Sequence, residues 1–157
     1  MLVNRIVIFC LFLSQLLILP AVAQPYALSI GGRAGSANGI AVKTFLGRSQ
    51  TAVEAIAAYR HGGAQVIATV QQQMELGYRS DFYLFLGAGG HAGYKGIFER
   101  ETADRLCWGV DAIIGVEYVF PGSPFAISFD FKPLLELHQG VAISGNNAGV
   151  TLRCLID

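Results

Sequence analysis

Charge is scarce in this chain: Asp, Glu, Lys and Arg make up 14% of its 157 residues, eleven of each sign, and the formal net charge is zero. That balance excludes the basic surface of a nucleic-acid binder and the acidic excess of a solvating tail. Proline is equally sparse, five residues against 19 glycines, which suits closely packed strands and tight turns better than helices. Past Ala23 no apolar stretch approaches the roughly 20 residues of a spanning helix. The three histidines, His61, His91 and His138, have no pair at a metal-ligand spacing such as His-x3-His, so no metal site is expected. Gly87-Ala88-Gly89-Gly90 lacks both the strand-loop-helix context and the following lysine of a phosphate-cradling loop. No cofactor and no catalytic set is expected on these grounds.

The amino terminus is apolar in another way. Arg5 precedes the run Ile6 to Leu19, which closes on Pro20 and Ala21-Val22-Ala23, the charged, apolar and small-x-small parts of a secretory signal peptide. The run is interrupted by Ser14 and Gln15 and is short for a membrane anchor. Residues 1–23 are therefore expected to be a cleaved export signal, with residues 24–157 forming one domain. Cys10 leaves with the signal; Cys107 and Cys154 remain.

In the second half, Val116-Glu117-Tyr118-Val119-Phe120 and Phe125-Ala126-Ile127-Ser128-Phe129-Asp130-Phe131-Lys132 alternate bulky apolar residues with polar or charged ones. A strand sends successive side chains to opposite faces, so each segment has one greasy and one charged face. No helix elsewhere can cover the greasy face, which points to lipid as its solvent. The same reading along the chain gives eight strands, near Tyr26 to Ala34, Gly39 to Phe45, Ala52 to Arg60, Ala64 to Met74, Phe82 to Lys95, Cys107 to Phe120, Phe125 to Leu137 and Asn147 to Ile156. Eight is the smallest even number used by single-chain outer-membrane barrels. The expected fold is all-β, an eight-stranded antiparallel up-and-down transmembrane β-barrel in the outer membrane.

With both termini periplasmic, segments 46–51, 75–81 and 121–124 face inward to the cell, while 35–38, 61–63, 96–106 and 138–146 face outward. Tyr59, Tyr94 and Trp108 then fall near the outer rim and Tyr26, Phe82, Tyr118, Phe120 and Phe125 near the periplasmic rim, two aromatic girdles in lipid. Between them lie Leu84, Leu86, Ile114, Val116, Ile127 and Phe129. The opposite face collects Lys43, Glu54, Arg60, Asp111, Glu117, Asp130, Lys132 and Arg153, with Gln65, Thr69, Gln71, Ser128 and Thr151. Charges inside so narrow a barrel must pair, since isolated burial is costly, so a salt-bridged plug rather than an open pore is expected. Lys43 and Glu54, at similar height on adjacent strands, are the expected pair, and His91 is expected to hydrogen-bond in the lumen. Cys107 and Cys154 fall at opposite rims and are expected to be free thiols.

Tyr26-Ala-Leu-Ser-Ile, Gly39-Ile-Ala-Val-Lys43, the run Phe82 to Tyr94, Gly109 to Tyr118, Pro124 to Pro133 and Ala148 to Arg153 together resemble the small outer-membrane β-barrel proteins of Gram-negative bacteria. The resemblance spans most of the chain past residue 23 and implies a fold and a location but no reaction. Three functions fit. The first is a structural or interaction barrel, with membrane lipid around it and envelope or surface partners met through loops 96–106 and 138–146. The second is a lipid-modifying enzyme using His61, His138, Ser144 and Asp104 at the outer rim. The third is a soluble periplasmic barrel holding a small apolar ligand.

Overall fold

The computed structural model of the chain describes residues 25–60, 63–77, 81–94, 106–136, 142–144 and 147–156. The expected export signal, 1–23, lies outside the described residues. The strands are β1 (Leu28–Gly35), β2 (Asn38–Phe45), β3 (Thr51–Arg60), β4 (Gly63–Glu75), β5 (Phe82–Tyr94), β6 (Leu106–Val119), β7 (Phe125–Phe131), β8 (Leu134–Glu136), β9 (Ala142–Ser144) and β10 (Ala148–Ile156). Each pairs antiparallel with its neighbours, and contacts of β5 with β6 and of β1 with β10 close the sheet. Pro133, which has no N–H to give a ladder, separates β7 from β8; both pair with β6 in one register, so they form a single barrel strand. β9 and β10 form the next one, and the pairing slips by one residue between them. The barrel is therefore closed, antiparallel and eight-stranded. Ala142–Ser144, which the sequence pattern placed in a loop, is strand.

The stagger fixes the shape. A row followed across the ladders from Tyr118 through Ile127, Leu152, Gly32, Ile40, Ala57, Val66 and Ala92 returns to the same strand at Trp108, ten residues from where it began. With about 3.3 Å per residue and about 4.8 Å between strands, that offset over eight strands tilts them by about 40°. The turns at 46–50 and 120–124 lie at one end, with β1 starting and β10 finishing there; this is the terminal end, and the other the loop end. Gly47 and Gly122 enter the left-handed region, at φ 63° and 69°, where a Cβ would clash with the backbone.

Burial alternates strictly along most strands, as on β6, where Cys107, Gly109, Asp111, Ile113, Gly115 and Glu117 point in and Trp108, Val110, Ala112, Ile114 and Val116 point out. The outward set is apolar: Ile40, Val66, Ile114, Phe129 and Leu152 are each more than half exposed. Among the described residues the inward set includes eight buried charges, four of each sign: Arg33, Lys43, Arg153 and Lys132 against Glu54, Asp111, Glu117 and Asp130. The molecule is thus apolar outside, and its interior sets these buried charges beside an apolar cluster of Ala37, Ala41, Ile56, Ala58 and Ile67.

Candidate functional site

The lumen is the only place where the described residues concentrate chemistry, and it divides into two tiers. In the tier nearer the terminal end, Arg153 on β10 reaches Glu54 on β3 through NH2 and Glu117 on β6 through Nε at 3.4 Å. Glu117 Oε2 also faces Lys43 Nζ at 3.5 Å, and Glu117 Oε1 accepts from Tyr26 Oη at 2.9 Å and Gln73 Nε2 at 3.0 Å. Lys43 donates to Gln73 Oε1 at 2.5 Å and lies 4.8 Å from the centre of the Phe85 ring, whose negative face favours a cation. Gln71 donates to Glu54 Oε2 at 2.6 Å. Two cations and two carboxylates close the tier with no net charge.

Lys43 and Glu54 stand directly opposite in the ladder, as the sequence pattern predicts, yet they are not ion-paired. Each is held elsewhere, Lys43 by Gln73 and Glu117 and Glu54 by Arg153 and Gln71. The reason is curvature: inward side chains in a narrow barrel converge on the axis, so they meet residues three and four strands away as readily as their ladder partner.

In the tier nearer the loop end, Arg33 forks onto Asp130, with NH2 2.8 Å from Oδ1 and NH1 on Oδ2, and NH1 also points at Thr151 Oγ1 at 3.5 Å. His91 Nδ1 lies 2.9 Å from Asp111 Oδ1, so the carboxylate selects the tautomer with hydrogen on Nδ1. Lys132 is 3% exposed beside them. Glycine makes the room: a Cβ at Gly149 would collide with the Arg33 guanidinium, and one at Gly115 with the Phe85 ring. Gly87 and Gly89 act differently, since a Cβ there would strike the β4 backbone at Val70 and Ala68. They allow close strand approach rather than space for side chains.

Of the expected lumen charges, Lys43, Glu54, Asp111, Glu117, Asp130, Lys132 and Arg153 are buried inside. The side chain of Arg60 lies outside the described residues. Arg33 takes its place in the count; the signal was present, since Ser29, Gly31 and Arg33 alternate with Leu28, Ile30 and Gly32. Of the expected girdle, Tyr59, Phe82, Tyr94, Trp108, Phe120 and Phe125 are outward and exposed. Tyr26 is a correction: it is 3% exposed and packs edge-on against Phe45, at 5.2 Å between ring centres, plugging the terminal end. The chain bends at Ala27 before β1 starts, so the outward parity of Leu28 and Ile30 does not extend back to Tyr26. Burial, and after it the charge of Glu117, holds the Tyr26 phenol well above its ordinary pKa, so it stays a hydrogen-bond donor.

Cys107 is buried beside Gly93 near the loop end, whereas Cys154 is exposed opposite Phe125 at the terminal end, and both are free. Of the rim residues weighed for lipid chemistry, His61, Asp104 and His138 lie outside the described residues, as does the side chain of Ser144 on β9. The described residues include no group of three or more His, Cys, Asp or Glu able to hold a metal ion. Comparisons with protein-family models, curated proteins and solved structures gave no match.

Proposed function

We propose that this chain is a small integral outer-membrane β-barrel of a Gram-negative bacterium, exported through residues 1–23, with a structural or interaction role and a closed lumen. The observation that carries the reading is the inverted distribution of polarity around a closed sheet. No outward-facing strand position among the described residues is charged, while eight charges are buried inside. In water that arrangement exposes large apolar surface and buries ions that solvent would hydrate better; in a bilayer both faces are satisfied. Closure matters equally, because lipid leaves no partner for an open sheet edge.

Dimensions agree with the same reading. Ten residues separate Trp108 from Tyr118, and at a tilt of about 40° they span about 25 Å, the height of the apolar band in such barrels. Exposed aromatic residues bracket that band, Tyr59, Tyr94 and Trp108 at one end and Phe82, Phe120 and Phe125 at the other. The filled lumen argues against transport: Arg153, Lys43, Phe85, Ile56 and Gln71 are each less than 2% exposed in its middle. The same packing of Phe85, Ile56 and the ion pairs argues against an apolar ligand in the middle of the lumen. Surroundings are then met through the outward face, by lipid, and through loops 96–106 and 138–146, by envelope or surface partners.

The test is fractionation of cells expressing the chain, followed by gel mobility with and without boiling. Extraction from the outer membrane only by detergent, with a heat-dependent shift in mobility, supports the reading. Recovery in the periplasmic fraction without detergent overturns it.

A further inference from the structure

We propose that one water molecule is built into the loop end of the lumen, accepting a hydrogen bond from Lys132 Nζ and donating one to Asp111 Oδ2. His91, Asp111, the water and Lys132 then form a single hydrogen-bonded chain along three neighbouring strands of the barrel wall. Three observations carry this. Lys132 and Asp111 are 3% and 4% exposed, and neither Lys132 Nζ nor Asp111 Oδ2 has a hydrogen-bond partner among the described protein groups. Both line one cavity, together with Arg33, Gln65, Asn147 and Leu134. That cavity offers about 10 Å³ to the centre of a water, close to the 10–15 Å³ that about one molecule takes.

A buried ammonium with no acceptor and a buried carboxylate oxygen with no donor are both costly, and their residues line the same small cavity. A water answers both because it accepts and donates at once. A chloride would suit Lys132 but sit against Asp111, and a sodium ion the reverse. Arg33 gives its two terminal nitrogens to Asp130, and its Nε, with no hydrogen-bond partner among the described protein groups, is a further donor beside the same cavity. Asp111 gives its other oxygen to His91 Nδ1, so the water completes the carboxylate rather than replacing a contact. The water then lies in the tier where Arg33 and Lys132 are set against Asp111 and Asp130.

The test is a crystal structure of the full, unmutated chain at a resolution that orders internal waters, with a matched crystal soaked in bromide. The expected result is one isolated peak within hydrogen-bond distance of Lys132 Nζ and Asp111 Oδ2, with no anomalous signal after the soak. An empty cavity, a direct Lys132–Asp111 contact, or a peak that acquires bromide signal would each overturn the proposal. The outcome is independent of where the barrel resides: crystals grown without detergent would defeat the membrane reading and leave this site decided by the same peak.

Discussion

Replacing Glu117 by Gln removes one charge from the centre of the tier nearer the terminal end while keeping the shape of the side chain. In the native lumen Glu117 is 1% exposed and meets two cations, Lys43 at 3.5 Å and Arg153 at 3.4 Å. Arg153 keeps Glu54 when the charge is removed, but Lys43, fully buried, keeps only the amide of Gln73 and the faces of Phe45 and Phe85. The tier then carries an uncompensated positive charge. Breaking a buried pair on one side costs about 3–5 kcal/mol, because the remaining ion is stranded away from water. Lys43→Met combined with Glu117→Gln restores neutrality, so the double variant is expected to lose less than the sum of the two single ones, by at least about 1 kcal/mol. The assay is urea unfolding of the refolded barrel, followed by gel mobility without boiling. A Glu117→Gln change within about 0.5 kcal/mol of the native protein, or strict additivity in the cycle, would refute the pairing and with it the plugged lumen.

Other outcomes follow from the same geometry. Phe129→Arg, halfway along an outward row, is expected to destabilise the barrel in lipid by about 2–4 kcal/mol, read from unfolding in vesicles; a cost no larger than that of Arg in the turn at 121–124 would contradict outward lipid contact. Gly149→Ala should displace Arg33 from Asp130 and lower the unfolding midpoint more than Gly32→Ala, which meets nothing within 4 Å. Tyr26 has its pKa raised by burial, so its contribution is complete below the ordinary phenol range and fades as pH climbs through and beyond it; Tyr26→Phe should flatten the alkaline loss of stability. Thiol labelling of denatured, unreduced protein should add a label at both Cys107 and Cys154, since opposite ends of the barrel, roughly 27 Å apart in height, hold the two.

Period-two alternation carried most of this architecture. On β6 and β7 the polar residues Asp111, Glu117, Ser128 and Asp130 fall on one parity between bulky apolar neighbours, so their inward facing was legible even where Ile113 and Ala126 put an apolar residue on that parity. It failed where the backbone leaves the period. A bend at Ala27 turned Tyr26 inward, and β9 was hidden in a segment whose pairing slips by one residue. Partner choice in the lumen was beyond the pattern, because it depends on convergence across the barrel: ladder neighbours Lys43 and Glu54 go to Glu117 and Arg153 instead. Arg33 was readable from its strand but stands among small residues, Gly31, Gly32 and Ala34, that blur the alternation.

The most direct test of the inverted barrel uses the chain's single tryptophan, Trp108, which points outward and is 47% exposed near the loop end. Its fluorescence would be recorded after refolding into phospholipid vesicles, with bromine on the acyl chains as a contact quencher and acrylamide as the aqueous one. Strong quenching by the brominated lipid with little effect of acrylamide is the predicted result. A soluble, detergent-free protein whose Trp108 ignores brominated lipid and is quenched freely by acrylamide would contradict the account at its centre.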